Sequence, residues 1–389
     1  MSARAVPLLL ALSALGILAL VLRIDQKWLE VHVFQLHLWP APTDAHAQQI
    51  RGTLTRTMVI AAIGLFALAV ALSRSSSRQN RFAGLLRIGL ALACALATAE
   101  LYLRWREEAH PKPKMTHERF GRPHPRYGWT WTPGLATTER VADREVRLAF
   151  SREGLRVPSP GNEPDPNAPS LLFTGESVAA GQGLQYEETF ASLLSADLGL
   201  QPVNLAVNGY GCDQAYLRLI DALPRFEHVL ATVTTVLPVQ LGRNLQDLKP
   251  RLVLNNAAAL EWISGATGLF ARLRLRRLLV NELPYSDDHA IASTLALTRA
   301  ILRDTAARTR AKGANALFLV PSQGPPRTLE RHPEAWMIRA LFEPEGLPYI
   351  LVDLSGDLIL PSDPHPSPKG ARRIADVLRR AIDQNRTIP

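Results

Sequence analysis

Ser177 stands where a short apolar run, Leu171-Leu172-Phe173-Thr174, breaks into Gly175-Glu176-Ser177, and near the C-terminus the chain reads Asp363-Pro364-His365-Pro366-Ser367. A serine hydroxyl is a weak nucleophile until an imidazole takes its proton. The imidazole in turn needs a carboxylate to fix its tautomer and stabilise the imidazolium. Asp363 and His365, two apart between prolines that stiffen the loop, are the right pair for that work. Ser367-Pro368 reads as an N-cap with proline at the first helical position. Between these patches lies Asn204-Leu205-Ala206-Val207-Asn208-Gly209-Tyr210-Gly211-Cys212-Asp213-Gln214, with two glycines ahead of a helix that Asp213 is placed to cap. A glycine amide there can donate to a developing oxyanion, an interaction worth roughly 10²–10³ in rate at comparable sites. Taken singly, each patch has a plainer reading as a polar turn, a strand-to-helix turn or a surface loop.

Such groups need a scaffold to bring them together. From Ser170 onward, short β-rich runs alternate with helical patterns. The strands expected are Ser170–Thr174, Pro202–Val207, Val229–Val236, Ala316–Pro321 and Tyr349–Val352, and the helices Thr189–Leu198, Asp213–Leu223, Ala290–Lys312 and Pro368–Gln384. Alternation with apolar strands implies an α/β fold: a three-layer αβα sandwich with a mainly parallel sheet, because each crossover carries the chain back over the sheet. Ligands in such sheets bind at the carboxyl ends of the strands, where Ser177 and Gly209 both fall.

Three regions are expected. Residues 1–105 hold apolar stretches at Ala5–Leu22, Met58–Ser73 and Phe82–Trp105, which read as about three transmembrane helices, the second spanning only if it begins near Leu54. A cleaved signal peptide is the alternative for the first, but Leu22-Arg23-Ile24-Asp25 offers no small-x-small site. Residues 106–169 form a proline-rich linker, Glu107–Arg126, and a small strand-rich preface around Tyr127–Trp131 and Val141–Phe150. Residues 170–389 form the α/β domain. The segment 250–284 interrupts its alternation, and the basic, apolar run Leu269–Val280 reads as an interfacial helix, a lid or an ordinary surface helix.

Three arginines, Arg74, Arg78 and Arg81, without an acid place the loop between the second and third spans in the cytoplasm, and the C-terminal domain outside. Against this, Arg104, Arg106, Lys112 and Lys114 follow the last span. At 47% hydrophobic and 20% charged residues, the chain is rich for a wholly soluble protein, in keeping with a lipid bilayer as partner. The net charge of +9 does not point to nucleic acid: residues 1–105 carry 10 Lys+Arg against 4 Asp+Glu, so +6 belongs to the apolar region and +3 to the rest. The two cysteines, Cys94 and Cys212, fall in different regions and lack zinc spacing, so no metal and no cofactor is expected.

The patches in this order resemble the SGNH, or GDSL-like, hydrolase superfamily over about residues 120–385. Phe173-Thr174-Gly175-Glu176-Ser177 resembles its first block, Asn204–Gln214 its glycine block and Asp363-Pro364-His365-Pro366-Ser367 its last. Arg126-Tyr127-Gly128-Trp129 and Ser151-Arg152-Glu153-Gly154-Leu155-Arg156 resemble the preface of membrane-tethered members. The resemblance implies an SGNH-hydrolase, flavodoxin-like sandwich, with Ser177 as nucleophile, His365 as general base and acid, and Asp363 as orienting carboxylate. It also implies the amides of Ser177 and Gly209 as oxyanion donors. Two departures stand out. Glu176 replaces the usual aspartate, and where a third block should supply Gly-x-Asn-Asp the chain has Val236-Leu237-Pro238-Val239-Gln240-Leu241-Gly242-Arg243-Asn244. Gln240 is the substitute donor, with Asn244 the weaker candidate. The implied activity is a serine esterase acting on an acylated glycan or lipid at the bacterial inner membrane, with the C-terminal domain periplasmic. The alternatives are an O-acyltransferase on an envelope glycan and a non-catalytic binding protein with a degraded site.

Overall fold

The computed structural model describes residues 5–40, 42–74, 78–111, 114–278, 285–323 and 335–386. The chain packs as two units that interleave along the sequence: Met1–Phe34, Ala41–Lys112 and Gly268–Tyr285 form one, and Gln35–Pro40, Pro113–Thr267 and Ser286–Pro389 the other.

The first unit contains α1 (Ala5–Arg23), α2 (Asp44–Ser73) and α3 (Arg78–Ala109). Among the described residues, α1 and α2 are long and apolar enough to cross a membrane, with mean hydropathy 2.3 over Val6–Arg23 and 2.0 over an 18-residue window of Asp44–Ser73. They pack against each other yet leave Leu8 60% and Ile60 70% exposed, so their apolar surface is not consumed by the protein. The second helix begins at Asp44, capped by the Thr43 side chain, well before the apolar run at Met58. The described part of 269–280 makes a single turn of α-helix at Arg274–Arg277, whose arginines pair with Glu107 while Leu275 N donates to Glu100. Residues 279–284 lie outside the described ones.

The second unit is an α/β fold on a five-stranded, wholly parallel sheet. Two antiparallel hairpins precede it: β1 (Gly121–His124) with β2 (Gly128–Trp131), and β3 (Ala136–Val141) with β4 (Arg144–Ala149). The expected linker Glu107–Arg126 is therefore mostly structured: α3 runs to Ala109, a helix occupies Thr116–Phe120, and Arg122 to His124 pair with β2. Periodicity missed this because Pro123 sits on a two-stranded edge, where proline is tolerated.

The sheet comprises β5 (Ser170–Thr174), β6 (Gln201–Asn204), β7 (Val229–Thr235), β10 (Asn315–Gln323) and β11 (Tyr349–Leu354), in the order β6-β5-β7-β10-β11. A separate antiparallel hairpin, β8 (Arg251–Leu254) with β9 (Leu260–Ile263), intervenes in sequence. All five residues of β5 are buried, as a strand covered on both faces requires. On one face α5 (Phe190–Leu198) packs against α10 (Pro368–Arg386). On the other α6 (Cys212–Ala222) packs against α8 (Asp288–Ala311), which α9 (Ala335–Phe342) also contacts. The first crossover returns on one face and the second on the other, so the strand order reverses between β5 and β7. Crevices that take ligands open at the carboxyl ends of strands at such a point. The expected extension of β6 to Val207 stops at Asn204, because Asn204 turns the chain: its Oδ1 accepts from Ala206 N and its Nδ2 donates to the Ala179 carbonyl.

Candidate active site

Beyond β5 the chain turns at Gly175 and enters α4 (Ser177–Ala180), a single helical turn capped by Glu176, whose Oε1 accepts from Val178 N at 2.8 Å. This places the Ser177 hydroxyl at the carboxyl end of the sheet, 7% exposed. Ser177 Oγ lies 2.7 Å from His365 Nε2. His365 Nδ1 is in turn hydrogen-bonded to Asp363 Oδ1, which also accepts from the His365 backbone N–H at 3.0 Å. With Nδ1–H committed to the carboxylate, Nε2 presents its lone pair to the serine proton, as proton abstraction requires. Burial raises the Asp363 pKa, but hydrogen bonds and charge from His365 outweigh it and hold the carboxyl below its ordinary value.

The loop carrying the pair folds back on itself. Leu360 N donates to the His365 carbonyl and Ser367 N to the Leu358 carbonyl. Ser367 Oγ accepts from Gly370 N, capping α10 as the sequence implied.

The serine hydroxyl has a second acceptor. Glu176 Oε2 is also within hydrogen-bonding reach of Ser177 Oγ, and one proton can serve only one acceptor at a time. Arg243 Nη1 lies 3.7 Å from the same carboxylate oxygen and donates to the Tyr210 carbonyl. Burial pulls the Arg243 guanidinium below its ordinary pKa, while Glu176 opposes that shift. Arg243 belongs to the altered third block and was not singled out in the sequence; an unexplained base in that block was the available signal.

The other third-block residues diverge. α7 (Pro238–Asn244) starts directly after β7, and Gln240 Oε1 caps it by accepting from Leu237 N at 2.7 Å. Gln240 Nε2 is buried and has no hydrogen-bond partner among the described residues. Asn244 faces elsewhere: its Oδ1 accepts from Asp213 N and its Nδ2 donates to Thr298 Oγ1.

The glycine block is held from outside the sheet. Trp131 Nε1 donates to the Ala206 carbonyl, Trp129 Nε1 to the Asn208 carbonyl, and Tyr210 Oη to the Trp129 carbonyl. The preface hairpin thus fixes the backbone on both sides of Gly209. At φ 82° Gly209 adopts a conformation only glycine takes easily, and a Cβ there would meet His117 Cε1 at 2.8 Å. The buried Arg156 does the same for the serine loop, donating to the carbonyls of Ala180, Gly181 and Leu184. The α6 cap differs from expectation: Gly211 is the N-cap, with Gln214 Oε1 accepting its N–H. Asp213, the second residue of the helix, accepts instead from the buried Lys249 at 2.8 Å. Burial pushes the Cys212 thiol up to about 12, so it carries no thiolate chemistry.

No protein-family model matches the chain, and no curated protein does. Among solved structures, TesA is similar at 18% identity and TM-score 0.34, covering 55% of this chain and 98% of TesA. The acetyl xylan esterase Est2A from the rumen bacterium Butyrivibrio proteoclasticus is similar at 13% identity and TM-score 0.30, over 58% of this chain and 66% of that one. A putative arylesterase from Agrobacterium tumefaciens str. C58 is similar at 14% identity and TM-score 0.33, over 56% and 99%. The Ser177–His365–Asp363 line at the end of the parallel sheet belongs to this chain's own side chains. A cleft of about 630 Å³ between the β8–β9 hairpin and α8 shares no lining residue with the Ser177 cluster.

Proposed function

We propose that the protein is a membrane-anchored serine esterase that cleaves an O-acyl ester through an acyl-Ser177 intermediate. The observation that carries this reading is the contact of Ser177 Oγ with His365 Nε2 at 2.7 Å, with Asp363 behind the imidazole. His365 takes the serine proton as Oγ attacks the acyl carbonyl, then gives it to the departing alkoxide. Water repeats the sequence to release the acid. The backbone amides of Ser177 and Gly209 and the unpartnered Gln240 Nε2 receive the developing oxyanion. Arg243 neutralises Glu176, whose carboxylate would otherwise oppose an alkoxide forming beside it. The hydrolysis of full-length protein in detergent on p-nitrophenyl acetate tests the reading. Turnover is expected, with a loss of about 10⁴-fold or more in Ser177→Ala; equal rates for the two would remove it.

The anchor reading places α1, α2 and α3 in the bacterial inner membrane and the SGNH-like unit on the periplasmic side, acting on an acylated glycan or lipid. Gln35–Pro40, between α1 and α2, belongs to the same unit as the chain after α3. The chain between them must therefore cross the membrane an even number of times, which suits α2 and α3 both spanning. A phosphatase reporter fused after Pro389 is expected to be active; activity only of a cytoplasmic reporter overturns the orientation. Acyl transfer is a second reading, favoured by a nucleophile and base only 7% and 8% exposed, which limits access of water. Transferred acyl groups on a glycan acceptor, rather than free acid, would distinguish it.

A further inference from the structure

We infer that the protein binds a phosphate group, borne on a small organic molecule or a lipid, in a basic cavity between the β1–β2 hairpin and α6. The cavity holds about 270 Å³. None of its lining residues belongs to the Ser177 cluster, so the inference stands apart from the esterase reading.

Arg218 is the reason to expect an anion. It lies on α6, 4% exposed, and its Nη2 donates to the Gly154 carbonyl at 2.6 Å. A carbonyl satisfies a donor but leaves the charge in place. The two acids of the cavity wall are committed elsewhere: Asp221 accepts from Arg126 Nε at 2.7 Å and from the Tyr127 hydroxyl, and Glu153 pairs with Arg225. Among the described residues no carboxylate lies within ion-pair distance of Arg218, or of Arg122 on β1. A buried charge is costly unless an opposite charge meets it. Two guanidinium charges are thus left over, and a phosphomonoester brings about −1.5 to −2 at neutral pH, where a carboxylate brings half as much.

His124, on the cavity wall, registers this field. Burial holds its pKa below the ordinary value, and Arg218, Arg122 and Arg126 push the same way against Asp221 alone. The ring is therefore neutral, and its tautomer is fixed: Nδ1 accepts from the backbone N–H groups of Arg126 and Tyr127 at 3.3 Å each, leaving the proton on Nε2. Stacking on Tyr127, with centroids 4.2 Å apart, holds the donor in place. Arg122 is exposed, so its fork of N–H groups can turn onto phosphate oxygens, a geometry guanidinium matches. Leu155, Leu205 and Ala222 line the remaining wall and suit the carbon part of an organic phosphate rather than the bare ion.

The test titrates full-length protein, in non-ionic detergent and phosphate-free buffer, with glycerol 3-phosphate and with acetate. Phosphatidic acid in mixed micelles forms the lipid arm, with phosphatidylcholine as its control. Calorimetry should give a saturable isotherm for a phosphomonoester and binding at least about tenfold weaker for acetate, which brings one charge. Arg122→Gln and Arg218→Met should each raise Kd about tenfold or more; the first, at an exposed position, keeps the test decisive if the buried substitution fails to fold. Saturable binding of glycerol 3-phosphate marks a soluble phosphomonoester as the ligand, and binding of phosphatidic acid alone marks a lipid headgroup; either supports the inference. It is overturned if neither binds, if acetate or phosphatidylcholine binds as tightly, or if affinity is unchanged in a folded variant of either arginine.

Discussion

The Ser177–His365–Asp363 side of the candidate site and its Gln240–Arg243 side are built differently. Ser177, His365 and Asp363 form a continuous hydrogen-bonded line. In α7, by contrast, the polar residues hold structure: Gln240 caps the helix and Asn244 ties Asp213 to Thr298. The charged pair Glu176–Arg243 occupies the space beside them. A proton relay tolerates little change in residue type, because it needs an imidazole with a fixed tautomer. Oxyanion stabilisation needs only aimed positive potential, which an amide, a backbone N–H or a guanidinium can all supply.

Substitutions can break that contrast or sharpen it. The largest effect is expected from Asp363→Asn, which preserves shape and favours the wrong imidazole tautomer: kcat should fall about 10⁴-fold with an unchanged circular dichroism spectrum. Gln240→Glu keeps the capping oxygen and removes the donor, so kcat should drop about 10²-fold while thermal stability holds. If instead stability falls and kcat does not, Gln240 is a cap alone. Arg243→Met should cost about tenfold in kcat, and less in a Glu176→Gln background, where no carboxylate awaits neutralisation; a double-mutant cycle measures that coupling.

The smallest effect on rate concerns the segment Gln35–Pro40, where His37 Nε2 lies 2.8 Å from Ser286 Oγ. Burial lowers the His37 pKa to about 4 from 6.5. The unfolded chain therefore binds more protons between those values. The stability contribution is complete above about pH 6.5 and is lost as pH falls toward 4, about 3 kcal/mol over the window. Thermal melts from pH 7 to 4 should show a steeper loss in the natural chain than in His37→Asn; parallel curves would refute it.

Local pattern revealed much of the frame. The five sheet strands are short apolar runs bounded by glycine, proline or asparagine, and burial on both faces makes such runs conspicuous. Helix boundaries in the α/β unit fall within a few residues of those expected, since Thr189, Ser367 and the glycines at 199 and 313 are local punctuation. The nucleophile loop and the Asp-x-His loop were visible because each is a contiguous string of unusual residues. The strand near Tyr127–Trp131 was visible too, but its partner β1 was not, because Gly121–His124 carries Pro123 and is held as a strand by its pairing with Gly128–Trp131.

The sequence by itself determined the α/β alternation, the long apolar helices and the residue types able to form a proton relay, because these depend on side-chain chemistry and neighbours a few positions apart. Tertiary structure alone decided that Arg243 faces Glu176, that Asn244 turns from the serine and that residues 35–40 join a unit whose other parts begin at Pro113. Those outcomes depend on which distant segments pack together, and that is set by the burial of the whole core rather than by any local pattern.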